Sequence, residues 1–138
     1  MDGIQGAVLG VKLKYLEQWT TRRREIATMY SRQLNGVGDL VLPYVLPKAQ
    51  HVYHLYAIRT KKRTELQRFL TSKEIATALH YPIPIHFQQA YHHLGYQPGD
   101  FPASESAAEE CISLPLYPEM TNEQVDYVVA NVKSFFNG

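Results

Sequence analysis

The sequence predicts an α+β fold, with helices packed on one face of a small sheet. Three observations lead there. Helical periodicity dominates both ends of the chain. One β-branched and aromatic run, "HVYHLYAIR", reads as a strand. Short extended pieces broken by proline separate the remaining helical stretches, and no repeat or low-complexity segment interrupts that order.

The elements follow in turn. Ile4, Val8, Val11, Tyr15 and Trp19 recur every three or four residues, and the stripe resumes at Ile26, Tyr30 and Leu34. This predicts one long helix over residues 1–36, or two helices in line. At 1.5 Å per residue, some 30 helical residues would span about 45 Å, more than a compact domain of this size needs. The segment is therefore expected to bridge to another domain or subunit. "NGVGD" (Asn35–Asp39) ends it, with Gly36 suited to a left-handed position. Residues 37–138 are expected to form the small α+β domain.

Within that domain, His51–Arg59 is the predicted strand. Its near-unbroken apolar character predicts burial on both faces. Thr64 and Gln67 have the spacing of a capping box for a helix ending near Lys73. "IATALHYP" (Ile75–Pro82) reads as a short strand, and Pro82 and Pro84 keep Tyr81 and Ile83 extended. "QAYHHLG" predicts one helical turn. Pro102 suits the first turn of a helix through "ASESAAEECI". "SLPLYPEM" is extended. The last helix has the clearest signal: Thr121 and Gln124 form a capping box, and Val125, Val128, Val129, Val132 and Phe136 keep the 3.6-residue period.

Composition narrows the function. At 138 residues the chain has the length of one domain, 45% hydrophobic and 20% charged, which reads as soluble and globular. A net charge of +1 gives no global field toward nucleic acid or membrane. The dense basic cluster Arg22–Arg24 reads as a solvated helix face. The single cysteine, Cys111, excludes an intrachain disulfide and suits a reducing, cytoplasmic compartment. The acids beside it predict a raised thiol pKa and a packing role. No apolar run approaches the roughly 20 residues of a membrane span, and "MDGIQGAVLG" lacks the basic start of a signal peptide.

Four of six histidines crowd into "HYPIPIHFQQAYHH" (His80–His93). A metal reading fails on ligand counting. No carboxylate or thiol in Leu79–Tyr91 completes a set with His80 and His86, and zinc wants three or four ligands. His51 and His54, three apart on a strand, would point to opposite faces. No G-x-S-x-G elbow, phosphate loop or locally poised acid supports a hydrolase or a nucleotide triphosphatase. The proline-stiffened "YPIP" can still present His and Tyr side chains to a hydroxyl-rich or phosphorylated ligand. The plainer alternative is that they pack over a sheet edge and cap backbone groups.

"MDGIQGAVLGVKLKYLEQWTTRRREIATMY", "HVYHLYAIR", "LHYPIPIH", "LGYQPGDFPASE" and "SLPLYPEMT" together resemble the DegT/DnrJ/StrS sugar aminotransferases. The resemblance runs almost end to end but covers only the C-terminal part of that family. It implies the small C-terminal domain of the aspartate-aminotransferase fold: a few-stranded antiparallel sheet, preceded by a long linking helix. The large cofactor-binding domain would lie upstream of Met1, which accounts for the helical pattern beginning at once. The resemblance implies a pyridoxal-phosphate enzyme that moves an amino group from an amino acid, usually glutamate, to a keto nucleotide-sugar. Partners would be those two substrates and a second copy in a homodimer.

The Schiff-base lysine would also lie upstream. None of Lys12, Lys14, Lys48, Lys61, Lys62, Lys73 or Lys133 sits in the family's lysine context. The chain alone is therefore expected to be inactive and to hold no cofactor, with no catalytic residue of its own. By the same resemblance His80 and Tyr81 would reach the active-site rim, with His86 a weaker third. The "HYPIPIH" form is similar to the branch acting on 3-keto sugars. One departure stands out: Glu74 replaces a family Gly just after the "FLTSK" helix, where glycine takes a left-handed conformation cheaply; glutamate there costs about 1 kcal/mol, or the helix ends differently. The competing reading is a stand-alone module that binds nucleotide-sugars or a protein without chemistry, motivated by the apolar stripe of the first helix.

Overall fold

The computed structural model describes residues 2–138. The elements are α1 (Gly3–Leu13), α2 (Leu16–Leu34), β1 (Tyr56–Arg59), α3 (Arg63–Ser72), α4 (Pro102–Glu110), β2 (Cys111–Leu114) and α5 (Asn122–Asn137). Two 3-10 turns, Ile85–Phe87 and Gln89–Leu94, lie between α3 and α4.

The first helical stretch is two helices in line, broken at Lys14–Tyr15. They behave differently. α2 buries Ile26, Ala27, Tyr30 and Leu34, whereas α1 buries nothing and leaves Ile4, Val8 and Val11 exposed. α2 ends as expected, with Gly36 at φ +75°.

β1 and β2 pair antiparallel, with Tyr56 opposite Leu114 and Ile58 opposite Ile112. Single bridges add a line of chain on each side: Val41 pairs with Arg59, and Ala78 with Ser113. The result is a small antiparallel sheet in the order Val41, β1, β2, Ala78. Alternate side chains share a face. Tyr56, Ile58, Ile112 and Leu114 join the core with α2, α3 and α5. The opposite face carries Ala57, Arg59, Cys111 and Ser113. It meets α4 and the histidine loop through Arg59–Glu110 and His80–Ser113.

Several local expectations change. The strand is shorter than His51–Arg59, because Tyr53 takes φ +51° and its N–H donates to His51 Nδ1 at 2.9 Å. A left-handed residue cannot continue a ladder. The strand also alternates buried and half-buried positions instead of burying both faces. His51 and His54 thus lie outside β1, and the strand-face argument does not apply to them. The Ile75–Pro82 strand reduces to the bridge at Ala78.

The Thr64–Gln67 capping box does not form. α3 starts two residues earlier, with Lys62 instead of Thr64 as its cap, and Thr60 Oγ1 accepts from Lys62 N–H. Thr60 in turn donates to Asp39 at 2.6 Å. α4 stops at Glu110, so Cys111 begins a strand. By contrast, Pro102 opens α4, and both halves of the Thr121–Gln124 box are present.

The basic cluster is no solvated face. Arg22 donates to Met120 O and Asn122 Oδ1, Arg23 to Leu116 O, and Arg24 to His51 O. Three neighbouring guanidiniums pin two loops to α2. Arginine suits this because its forked donors can satisfy several carbonyls at once.

Candidate functional site: a cleft behind the sheet

His80 lies two residues past the Ala78 bridge, so the sheet sets its position. Its Nδ1 shares a hydrogen bond of 3.0 Å with Ser113 Oγ on β2. Ser113 is buried, which fixes the imidazole to the sheet's second face. The His80–Tyr81 peptide is cis, and Tyr81 follows with 74% of its surface exposed. One side chain of the pair is therefore anchored and the other projects into solvent.

His86 is placed differently. Its side chain is 8% exposed, and its Nε2 lies 3.3 Å from Glu105 Oε1. Its ring contacts Phe87 and Phe101, with centroids 4.1 and 4.8 Å apart. An acid does orient a loop histidine, but not a local one. It comes from α4, nineteen positions downstream. Glu105 also accepts from Gly99 and Phe101 N–H. These backbone donors, Gly99 first, hold its carboxyl below the usual carboxylate range.

His80, Tyr81 and His86 all line one cleft of about 600 Å³. Tyr91, Tyr96 and Phe101 make much of its apolar wall, and Cys111 lies in it. The Cys111 thiol pKa is raised, but burial is the cause; Arg59 and Arg63 pull the other way. The neighbouring acids do not set it. Two groups in this arrangement were not legible beforehand: Ser113 and Glu105. Both sit inside the quoted stretches "SLPLYPEMT" and "LGYQPGDFPASE", and periodicity alone gives no sign that they reach the histidines.

The cleft has donors and acceptors at its mouth and aromatic surface behind, which suits a ligand with a polar head and a stackable or apolar body. Among the described residues, its lining holds no lysine, arginine or carboxylate. It therefore has no amine to form a Schiff base. Among the described residues, no three His, Cys, Asp or Glu side chains cluster to hold a metal, and no helix is long and apolar enough to cross a membrane.

Comparison with known proteins accounts for the incomplete chemistry. Residues 1–133 match the DegT/DnrJ/EryC1/StrS aminotransferase family. The chain is 45% identical over 138 residues to a pleiotropic regulatory protein of Geobacillus stearothermophilus, covering 99% of this chain and 37% of that protein. It is 40% identical to the dTDP-3-amino-3,6-dideoxy-alpha-D-galactopyranose transaminase of Aneurinibacillus thermoaerophilus, covering 98% of this chain and 36% of that protein. The crystal structure of S. venezuelae DesV, solved with a ketimine intermediate, superposes with a TM-score of 0.97 at 34% identity. That match covers all of this chain and 37% of DesV. The chain thus spans little more than a third of the length of the relatives it matches. Its fold and its sequence place it in the DegT/DnrJ/EryC1/StrS aminotransferase family.

Proposed function

We propose that the chain is the C-terminal small domain and linking helix of a pyridoxal-phosphate-dependent aminotransferase. The complete enzyme moves an amino group from an amino acid, usually glutamate, to a keto carbon of a nucleotide-linked sugar. One observation carries the site assignment: His80 is locked to the sheet by Ser113 while Tyr81 beside it stands 74% exposed at the mouth of the cleft. A rim residue needs that combination, since a fixed base lets a projecting side chain bind without losing much freedom.

In this reading Tyr81 and His80 orient the sugar or its diphosphate. His86 shapes the wall, and its contact with ligand is indirect. The residues of this chain do not fit the cofactor by themselves, because the cleft lining has no amine for the Schiff base. The cofactor and its lysine therefore belong to a large domain outside these 138 residues. α1, with its apolar side chains exposed, is the surface that such a domain or a second subunit of a homodimer would cover. A cytoplasmic setting fits the single unpaired thiol.

The test is direct. The purified chain mixed with pyridoxal phosphate and glutamate is expected to show no aldimine absorbance band and no keto-acid product. A band that disappears when one lysine is replaced would overturn the assignment.

A second reading, a stand-alone interaction module, draws on the same exposed face of α1. Light scattering and a nucleotide-sugar titration test it: a clean monomer with no affinity for nucleotide-sugars counts against the module.

A further inference from the structure

The segment from Tyr81 to Phe101 is unlike the rest of the domain. None of its residues is buried, and only Pro84, His86 and Phe87 reach partial burial. Its backbone hydrogen bonds are local: Phe87 N–H to Pro84 O, Tyr91 N–H to Gln88 O, Gly95 N–H to His92 O. Among the described residues, every hydrogen bond that leaves Tyr81–Asp100 for the rest of the chain ends on one side chain. Glu105 Oε1 faces His86 Nε2 at 3.3 Å and accepts Gly99 N–H at 3.0 Å, while Oε2 accepts the same N–H at 2.9 Å.

The two ends of the segment differ in stiffness. Pro82 and Pro84 restrict the first. Gly99, at φ +97°, sits at the second in a conformation that glycine adopts freely. Beside the ring contacts of His86 and Tyr96 with Phe101, a stretch with little buried surface and one hydrogen-bonded anchor opens at low free energy compared with the core.

We infer that Tyr81–Asp100 is a flap over the second face of the sheet, latched by the Glu105 carboxylate, and that releasing the latch opens the cleft beneath. For the reaction proposed above, Glu105 is then a positioning residue. It acts through the flap on Tyr81. That consequence rests on the sugar reading; the latch itself does not, and it is tested without substrate.

The experiment compares the 138-residue chain with its Glu105→Ala variant by amide hydrogen exchange. Loss of a charge-assisted latch is expected to speed exchange across residues 85–100 by about tenfold or more, with α5 unchanged. Cys111, the sole cysteine, lines the cleft and gives a second readout. Its reaction with a neutral maleimide should accelerate in parallel. Glu105→Gln, which keeps an acceptor oxygen, should fall between the two. Glu110→Ala serves as control, since that carboxylate pairs with Arg59 and leaves the flap alone. Unchanged exchange in the Glu105→Ala flap would overturn the inference. So would equal acceleration across α5, which would make Glu105 a general stabiliser.

Discussion

Replacing Glu74 by glycine should stabilise the protein. α3 ends in a Schellman motif, in which Ile75 N–H donates to Leu70 O at 2.9 Å and Glu74 N–H to Thr71 O at 3.0 Å. Ile75 and Leu70 both lie in the core, which supplies the apolar contact of that motif. The geometry puts Glu74 at φ +58°. Holding a residue with a Cβ in that region costs about 1–2 kcal/mol. Glycine removes that strain but adds roughly 0.5–1 kcal/mol of unfolded-state entropy. Glutamate at a helix C-terminus also opposes the macrodipole, by about 0.3 kcal/mol on an exposed turn. The ion pairs among the described residues, Arg22–Glu25, Arg59–Glu110 and His86–Glu105, leave Glu74 out, so no pairing is lost. The net is a gain of about 1 kcal/mol.

Urea unfolding followed by circular dichroism measures it. Glu74→Ala is the control: it removes the charge and keeps the Cβ, so its gain should not exceed about 0.3 kcal/mol. If the glycine variant is no more stable than the alanine variant, the strain argument is wrong.

Four further outcomes follow from the same contacts. Arg23→Met should lower stability by about 1–3 kcal/mol, because Leu116 O loses its charged donor; denaturant midpoints read it. Gly38→Ala should destabilise by more than about 2 kcal/mol, since a Cβ there would overlap the Phe136 ring at a backbone φ of +54°; thermal melts check it. Tyr30→Phe should cost about 1 kcal/mol, the hydroxyl's bond of 2.8 Å to Pro115 O being lost in a buried setting.

The fourth concerns pH. Burial pushes the Asp39 pKa up, but the Thr60 hydroxyl and Lys61 N–H outweigh it and leave the carboxyl below its ordinary value. A group depressed on folding adds stability above its unfolded pKa and loses it as pH falls through the folded one. Wild type should therefore lose stability across the acid side of the carboxylate range. Asp39→Asn should lose less, as read by unfolding at a series of pH values.

Much of the fold was legible because local chemistry and tertiary packing agree in places. Thr121 and Gln124 cap α5, its valines are buried, and Pro102 opens α4, all from local pattern. At Glu74 the sequence left two outcomes open, strain or a different helix end, and the structure shows the strained one, φ +58°. The failures lie where a distant group decides. The Arg22–Arg24 run looks like a solvated face, yet its acceptors include backbone carbonyls 98 and 93 positions away. The "HVYHLYAIR" strand is cut short by the turn at Tyr53, which His51 stabilises through a side-chain bond. In the site, the proline-stiffened "YPIP" was visible as a presenting segment. What holds it was not, because Ser113 and Glu105 reach it only through the sheet and α4. The crowding of histidines itself proved uninformative: His80 and His86 play unlike structural parts, and His92 and His93 are exposed.

The measurement that bears most directly on the central claim is a titration of the isotope-labelled chain with a nucleotide diphosphate-sugar, followed by amide chemical shifts. Shifts are expected at His80, Tyr81 and Ser113 at millimolar ligand, weakened by Tyr81→Ala with the fold intact. Spectra that do not change, or changes confined to α1, would contradict it.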